Sequence, residues 1–199
     1  MKHDAPGPWD GSVRMATYSL AMTSQDADAI VPDTKDWTWV LDSPCPECGF
    51  DAHAVGLAGI GDTVRGTLPR WESALARPDV SVRPDPATWS VLEYGAHVRD
   101  VFRIFDGRLA SMLDEDDPLF ANWDQDATAI EDDYAHQDPA VVARQLAEAG
   151  AAIAARFDGV GAGQWERTGR RSNGSVFTVR TLGQYFLHDV VHHLRDVNA

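Results

Sequence analysis

Tyr185-Phe186-Leu187-His188-Asp189-Val190-Val191-His192-His193-Leu194-Arg195-Asp196, near the end of the chain, sets histidines one helical turn apart within an apolar run. At ~3.6 residues per turn His188 and His192 share one helical face, the spacing at which two imidazoles can hold one metal ion. A second helix must complete such a site. The candidate is His97, in Trp89-Ser90-Val91-Leu92-Glu93-Tyr94-Gly95-Ala96-His97, because residues 88–113 form the other strongly periodic segment with a histidine on its apolar stripe. Three neutral imidazoles leave a divalent ion with open positions, as reactive rather than structural sites do.

Projected at about 100° per residue, the segment around His97 places it with Tyr94, Val101, Ile104 and Phe105 on one inward stripe, with Glu93 one turn before. The last helix groups Thr181, Gln184, Tyr185, His188 and His192, with Leu182, Phe186, Val190, Leu194 and Val197 opposite, so it is buried on more than one face. His193 points about 100° from His192 and reads as a packing residue or a hydrogen-bonding neighbour of the ligands, with an exchange of roles with His192 left open. Metal-bound histidines commonly give their second nitrogen to a carboxylate, and Glu93, Asp100 and Asp189 are the candidates by position. The plainer alternative is a core His97 bonded to a carboxylate such as Glu93, with His188 and His192 bonding local carbonyls. Arg99 and Arg195 could hold a substrate carboxylate but read first as salt-bridge residues.

The rest of the chain reads as helices and loops. Residues 1–36 mix Pro, Gly, Ser, Thr and Asp without sustained periodicity, a loosely packed leader. Residues 37–199 form the domain. Trp37–Leu41 reads as an extended segment against the core, and the prolines at 44 and 46 make its continuation a loop. Helix one is expected from Asp51 to about Ala76 with a kink at Pro69, and helix two from an N-cap at Thr88 to about Leu113. An acidic, irregular stretch follows over 114–126, then a short helix over 127–136. Asp138-Pro139 reads as N-cap and first helical residue of helix three, which runs to about Phe157. Trp165–Thr168 and Ser175–Thr178 flank Ser172-Asn173-Gly174 as a small β-hairpin. Helix four covers about Val179–Val197. Four helices without a repeat or βαβ alternation make an all-α four-helix bundle, whose ligand sites are built from facing helices.

Composition narrows the function classes. With 44% hydrophobic and 24% charged residues the 199-residue chain suits one globular domain. A formal net charge of -14 argues against nucleic acid or an anionic membrane as partner. No apolar run approaches the ~20 residues of a membrane span, and no basic stretch followed by an apolar one opens the chain, so a cytoplasmic location is expected. Two cysteines do not make a disulfide scaffold. Cys45-Pro46-Glu47-Cys48-Gly49 is half of a zinc-ribbon motif without a second half; His53 is a third ligand at most, and an ordinary loop with reduced thiols is the first reading, ahead of a redox pair and a structural metal. Were that loop to fold over the open end of the bundle, a thiol there would lie within reach of a bound cofactor.

Trp89-x3-Glu93-x3-His97 followed by His188-x3-His192-His193 resembles the DinB-like superfamily of four-helix-bundle proteins, over roughly residues 50–197. That group includes thiol S-transferases and mycothiol-dependent maleylpyruvate isomerases. The resemblance implies a divalent metal, zinc or nickel, held by His97, His188 and His192; Glu93, Asp189 and His193 are the residues that sequence position puts around them. It also implies activation of a low-molecular-weight thiol such as mycothiol, an electrophilic small-molecule substrate, and a homodimer. The expected function is therefore a metal-dependent thiol S-transferase or isomerase, with a non-catalytic metal- or ligand-binding bundle or a metallohydrolase as alternatives. A thiolate is the nucleophile that such an ion supplies, and a hydroxide in its place would make a hydrolase.

Overall fold

Ser90 and Glu93 cap one another's backbone at the start of the longest helix, α2 (Val91–Asp114). This reciprocal capping satisfies two orphan N–H groups and places the helix start two residues beyond the expected Thr88. The computed structural model describes residues 35–199, so the expected leader lies almost wholly outside the described residues. Three further long helices complete a bundle: α1 (Ile60–Leu75), α4 (Pro139–Asp158) and α5 (Val179–Asp196). Both α4 and α5 pack against α1 and α2, so the ring order is α1, α4, α2, α5, and the consecutive helices α1 and α2 stand across a diagonal. Trp71, Leu92, Phe102, Leu109, Met112, Leu146, Ile153, Leu182 and Phe186 fill the interior.

Helix one is shorter than its periodicity suggests. Gly56 and Gly59 interrupt it, and 3-10 turns at Ala52–Ala54 and Leu57–Gly59 replace the expected first two turns. Trp37–Leu41 is also a 3-10 turn rather than extended, because the Asp36 carboxylate accepts from the Thr38 N–H and Oγ1 and closes the turn. The expected short helix over 127–136 divides into α3 (Gln125–Glu131) and a 3-10 turn at Tyr134–His136, separated by Asp133 at φ 49°. Asp138 caps α4 through the N–H groups of Ala140 and Val141, as its sequence anticipates.

The hairpin is present, with β2 (Thr168–Arg171) and β3 (Val176–Thr178) meeting around Gly174 at φ 99°. Its first strand starts later than expected because Trp165 stacks on Phe157 of the bundle instead. A third strand, β1 (Leu119–Phe120), pairs parallel to β2, giving the order β1-β2-β3. This sheet matters for what it carries: β3 leads directly into α5, and the turn after β1 holds Trp123. At Gly183 a Cβ would stand 2.7 Å from Ile60 Cδ1 and 3.0 Å from Phe157 Cε1, so the bare backbone lets α5 close on α1 and α4. Among the described residues no helix is long and apolar enough to cross a membrane.

Candidate metal centre

Two neighbouring stripes of α5 carry the chemistry. His188 and His192 lie on one; Asp189 and His193, about 100° further round, lie on the next. Helix α2 faces the second stripe. His97 Nε2 is 3.5 Å from Asp189 Oδ1, His193 Nε2 is 3.6 Å from the same oxygen, and the His97 and His193 rings are 4.9 Å apart, edge to face. The segment before α1 faces the first stripe. Cys45 Sγ is 3.7 Å from His192 Nδ1, and Trp37 packs on both His188 and His192 at 5.5 and 5.3 Å.

Among the described residues, atoms able to ligate a metal accordingly assemble in two groups, each mutually within 4.8 Å: His97, Asp189 and His193, and Cys45, Cys48, His188 and His192. The spacing of the sequence joined His97 to His188 and His192; the structure sets it beside Asp189 and His193, because the neighbouring stripe of α5 is the one turned toward α2. Asp189 and His193, expected around the ligands, offer their own ligand atoms to the group with His97. Glu93 and Asp100 are engaged elsewhere. Glu93 caps α2 and pairs with Arg83. Asp100 accepts from Arg99 at 2.7 and 3.0 Å, from Arg103 at 3.1 Å and from the Tyr134 hydroxyl at 2.6 Å. Arg99, tied also to Gln137 and Gln145, is a buried structural cation.

The first group fits a metal. Its Asp189-centred distances are too long for hydrogen bonds, whereas ligands about 2.0–2.2 Å from a tetrahedral ion stand about 3.3–3.6 Å from one another. His97 is wholly buried, and neither His97 Nε2 nor Asp189 Oδ1 has a hydrogen-bond partner among the described residues. Buried polar atoms left so are costly without a shared partner. His193 Nδ1 is 2.9 Å from Asp196 Oδ2; when Nδ1 donates there, the acceptor nitrogen Nε2 faces Asp189. Trp123 stacks on the His97 ring at 5.4 Å, and Trp89 lies 5.3 Å away on it, so the imidazole is held in one orientation.

Electrostatics favour neutral imidazoles here, the form a metal takes. Burial holds His97 below its ordinary value against the opposing pull of Asp189. Burial, and then His192, push His188 down to about 4. For Asp189 burial acts upward, but His97, His193 and His188 prevail and keep its carboxyl below the usual range. Burial raises Cys48 to about 11 and Tyr94 to about 12.

A cavity of about 290 Å³ adjoins both groups. Lys35, Trp37 and Glu47 from the segment before α1, Tyr94 from α2, and His188, Asp189, His192, His193 and Asp196 from α5 lie on its wall. The structure brings Cys45 and Cys48 beside His188 and His192, the placement considered for a loop folding over the open end of the bundle, whereas the places of Lys35, Trp37 and Glu47 on the cavity wall had no local signal.

Among solved structures, YfiT from Bacillus subtilis, described as a probable metal-dependent hydrolase with an unusual four-helix bundle topology, is similar in fold. It shares 18% identity at a TM-score of 0.65, with 71% of this chain and 83% of that one covered. No curated protein matches. The family model of the DinB superfamily matches residues 62–197, a stretch holding His97, Asp189, His188, His192 and His193 but neither cysteine. The chain belongs to the DinB superfamily.

Proposed function

We propose that this protein is a metal-dependent enzyme in which His97, Asp189 and His193 hold one divalent ion, zinc or nickel, beside the cavity, where a low-molecular-weight thiol attacks a small electrophile. The observation that carries this reading is the buried, unpartnered pair His97 Nε2 and Asp189 Oδ1, 3.5 Å apart and flanked by His193. When bound, such an ion lowers the pKa of a thiol or water toward neutrality. The side chains do the rest. Asp196 orients His193, and the Trp89 and Trp123 rings shield His97 from water. Tyr94, protonated at neutral pH, can donate a hydrogen bond to negative charge developing in the cavity. Lys35 on the wall suits a substrate carboxylate.

Asp189 among the ligands speaks for a thiol as nucleophile. Its charge offsets part of the ion's, and a thiol starting near ~8.5 needs a far smaller shift than water. Hydrolysis is the second reading, favoured by the description of YfiT and by a cavity of about 290 Å³, at the small end for a cofactor of mycothiol's size.

The test is elemental analysis, followed by parallel assays of thiol conjugation to an electrophile and of ester or amide hydrolysis, on wild type and on His97→Ala, Asp189→Ala and His193→Ala. Loss of both an ion and activity in each variant is the expected result. Full metal retention in all three overturns the proposal, and turnover of the ester alone selects hydrolysis.

A further inference from the structure

Cys45 and Cys48 lie outside the family-matched stretch and have no role in the function proposed above. Their surroundings nevertheless carry the marks of a built site. The Gly49 N–H donates to the Cys45 carbonyl at 2.8 Å, and Gly49 itself sits at φ 74°, a left-handed turn that glycine enters at little cost. The Cys45 N–H donates in turn to the Phe50 carbonyl at 2.8 Å, closing a tight knuckle around the two sulfurs. Both sulfurs then come within 4.8 Å of ligand nitrogens of His188 and His192, more than 130 residues further along.

We propose that Cys45, Cys48, His188 and His192 form a second metal site, a closed tetrahedral zinc site that ties the segment before α1 to α5. The Cys45 Sγ to His192 Nδ1 distance of 3.7 Å is close to the edge of such a polyhedron, about 3.5–3.6 Å for a sulfur at about 2.3 Å and a nitrogen at about 2.0 Å from zinc. Cys45, His188 and His192 are buried, and His188 Nε2 has no hydrogen-bond partner among the described residues. His192 Nε2, on the far side of its ring, faces Glu47 at 3.6 Å and Asp196 at 3.8 Å, the carboxylate surroundings usual behind a metal-bound imidazole. Charge agrees as well: binding releases the two thiol protons, and two thiolates neutralise the divalent ion inside a poorly hydrated site. Four protein ligands leave no open position, so this zinc organises rather than reacts.

What it organises is one wall of the cavity. Trp37 and Glu47 belong to the tied segment, and Trp37 rests on both histidines of the site. The half-motif of the sequence is thereby completed by α5 instead of by a second cysteine pair.

The experiment is zinc analysis and zinc X-ray absorption on the full chain, in wild type, Cys45→Ser/Cys48→Ser and His97→Ala. Expected are zinc with two sulfur neighbours in wild type, one equivalent fewer in the cysteine variant, and a sulfur-ligated zinc unchanged in His97→Ala. That last arm separates this site from the one at Asp189. Wild-type zinc without sulfur neighbours overturns the proposal even where the cysteine variant fails to fold. So does a native chain whose two thiols are found joined as a disulfide.

Discussion

Asp196→Asn offers the sharpest probe of the centre proposed at His97, Asp189 and His193. The carboxylate lies 2.9 Å from His193 Nδ1 and 3.8 Å from His192 Nε2, so only the first is a hydrogen bond. An amide oxygen keeps the shape and can still accept from Nδ1, but charge-assisted hydrogen bonds are roughly twice as strong as neutral ones. Loss of such a carboxylate behind a metal-bound imidazole typically weakens metal binding by about 10- to 100-fold, or about 1.4–2.8 kcal/mol. Competition of the variant against a chromogenic chelator, with zinc added stepwise, measures the affinity of each bound ion separately. The weaker-bound, oxygen- and nitrogen-ligated ion should lose about 10- to 100-fold in affinity, while the sulfur-ligated one changes far less. An unchanged affinity for the first ion, or an equal loss at both, would refute the assignment of His193 to the open centre.

Two other outcomes follow from buried charge. Asp100→Ala leaves the Arg99 guanidinium buried without its bidentate partner and strips the Tyr134 hydroxyl of its acceptor. Breaking a buried pair in this way costs about 3–5 kcal/mol, visible as a lowered urea midpoint, with metal content unchanged. Acid should also destabilise the metal-free protein. His97, His188 and His192 are all held below their ordinary value, so the unfolded chain binds more protons and stability falls as pH drops from about 6.5, through His188's about 4. Glu93 and Asp100, with depressed carboxyls, add a further loss below their ordinary range near 4. Urea midpoints that stay level between pH 8 and 5 would contradict that order.

The bundle was legible because its signals are local: Asp138-Pro139, Asn173-Gly174 and the apolar stripes of α2, α4 and α5 each act within a few residues. Periodicity overran the start of α1, where Gly56 and Gly59 break the helix without disturbing the apolar spacing. Strand β1, two residues long, has no periodicity to read, and its partner lies some fifty residues on. The residues of the two candidate groups were legible as a set more than as a grouping. His97, His188, His192, Asp189 and His193 were all singled out, yet the tandem His-Asp and His-His pairs put equivalent ligands on adjacent stripes. Which stripe meets α2 is decided by how α5 is rotated in the bundle, a property of the whole packing. The cysteine pair and the His188-x3-His192 pair were each half of a motif; two unmatched halves in one chain are themselves a signal worth testing against one another.

The knuckle at Cys45–Gly49 stands before the stretch common to the superfamily, while the residues proposed to hold the open centre, His97, Asp189 and His193, stand within it. On the function proposed here, the residues that would hold the reactive ion and part of the cavity wall thus come from different pieces of chain, which meet along α5. Selectivity for a new substrate can be sought by redesigning the fastened piece around Trp37 and Glu47, leaving the scaffold of α2 and α5 untouched.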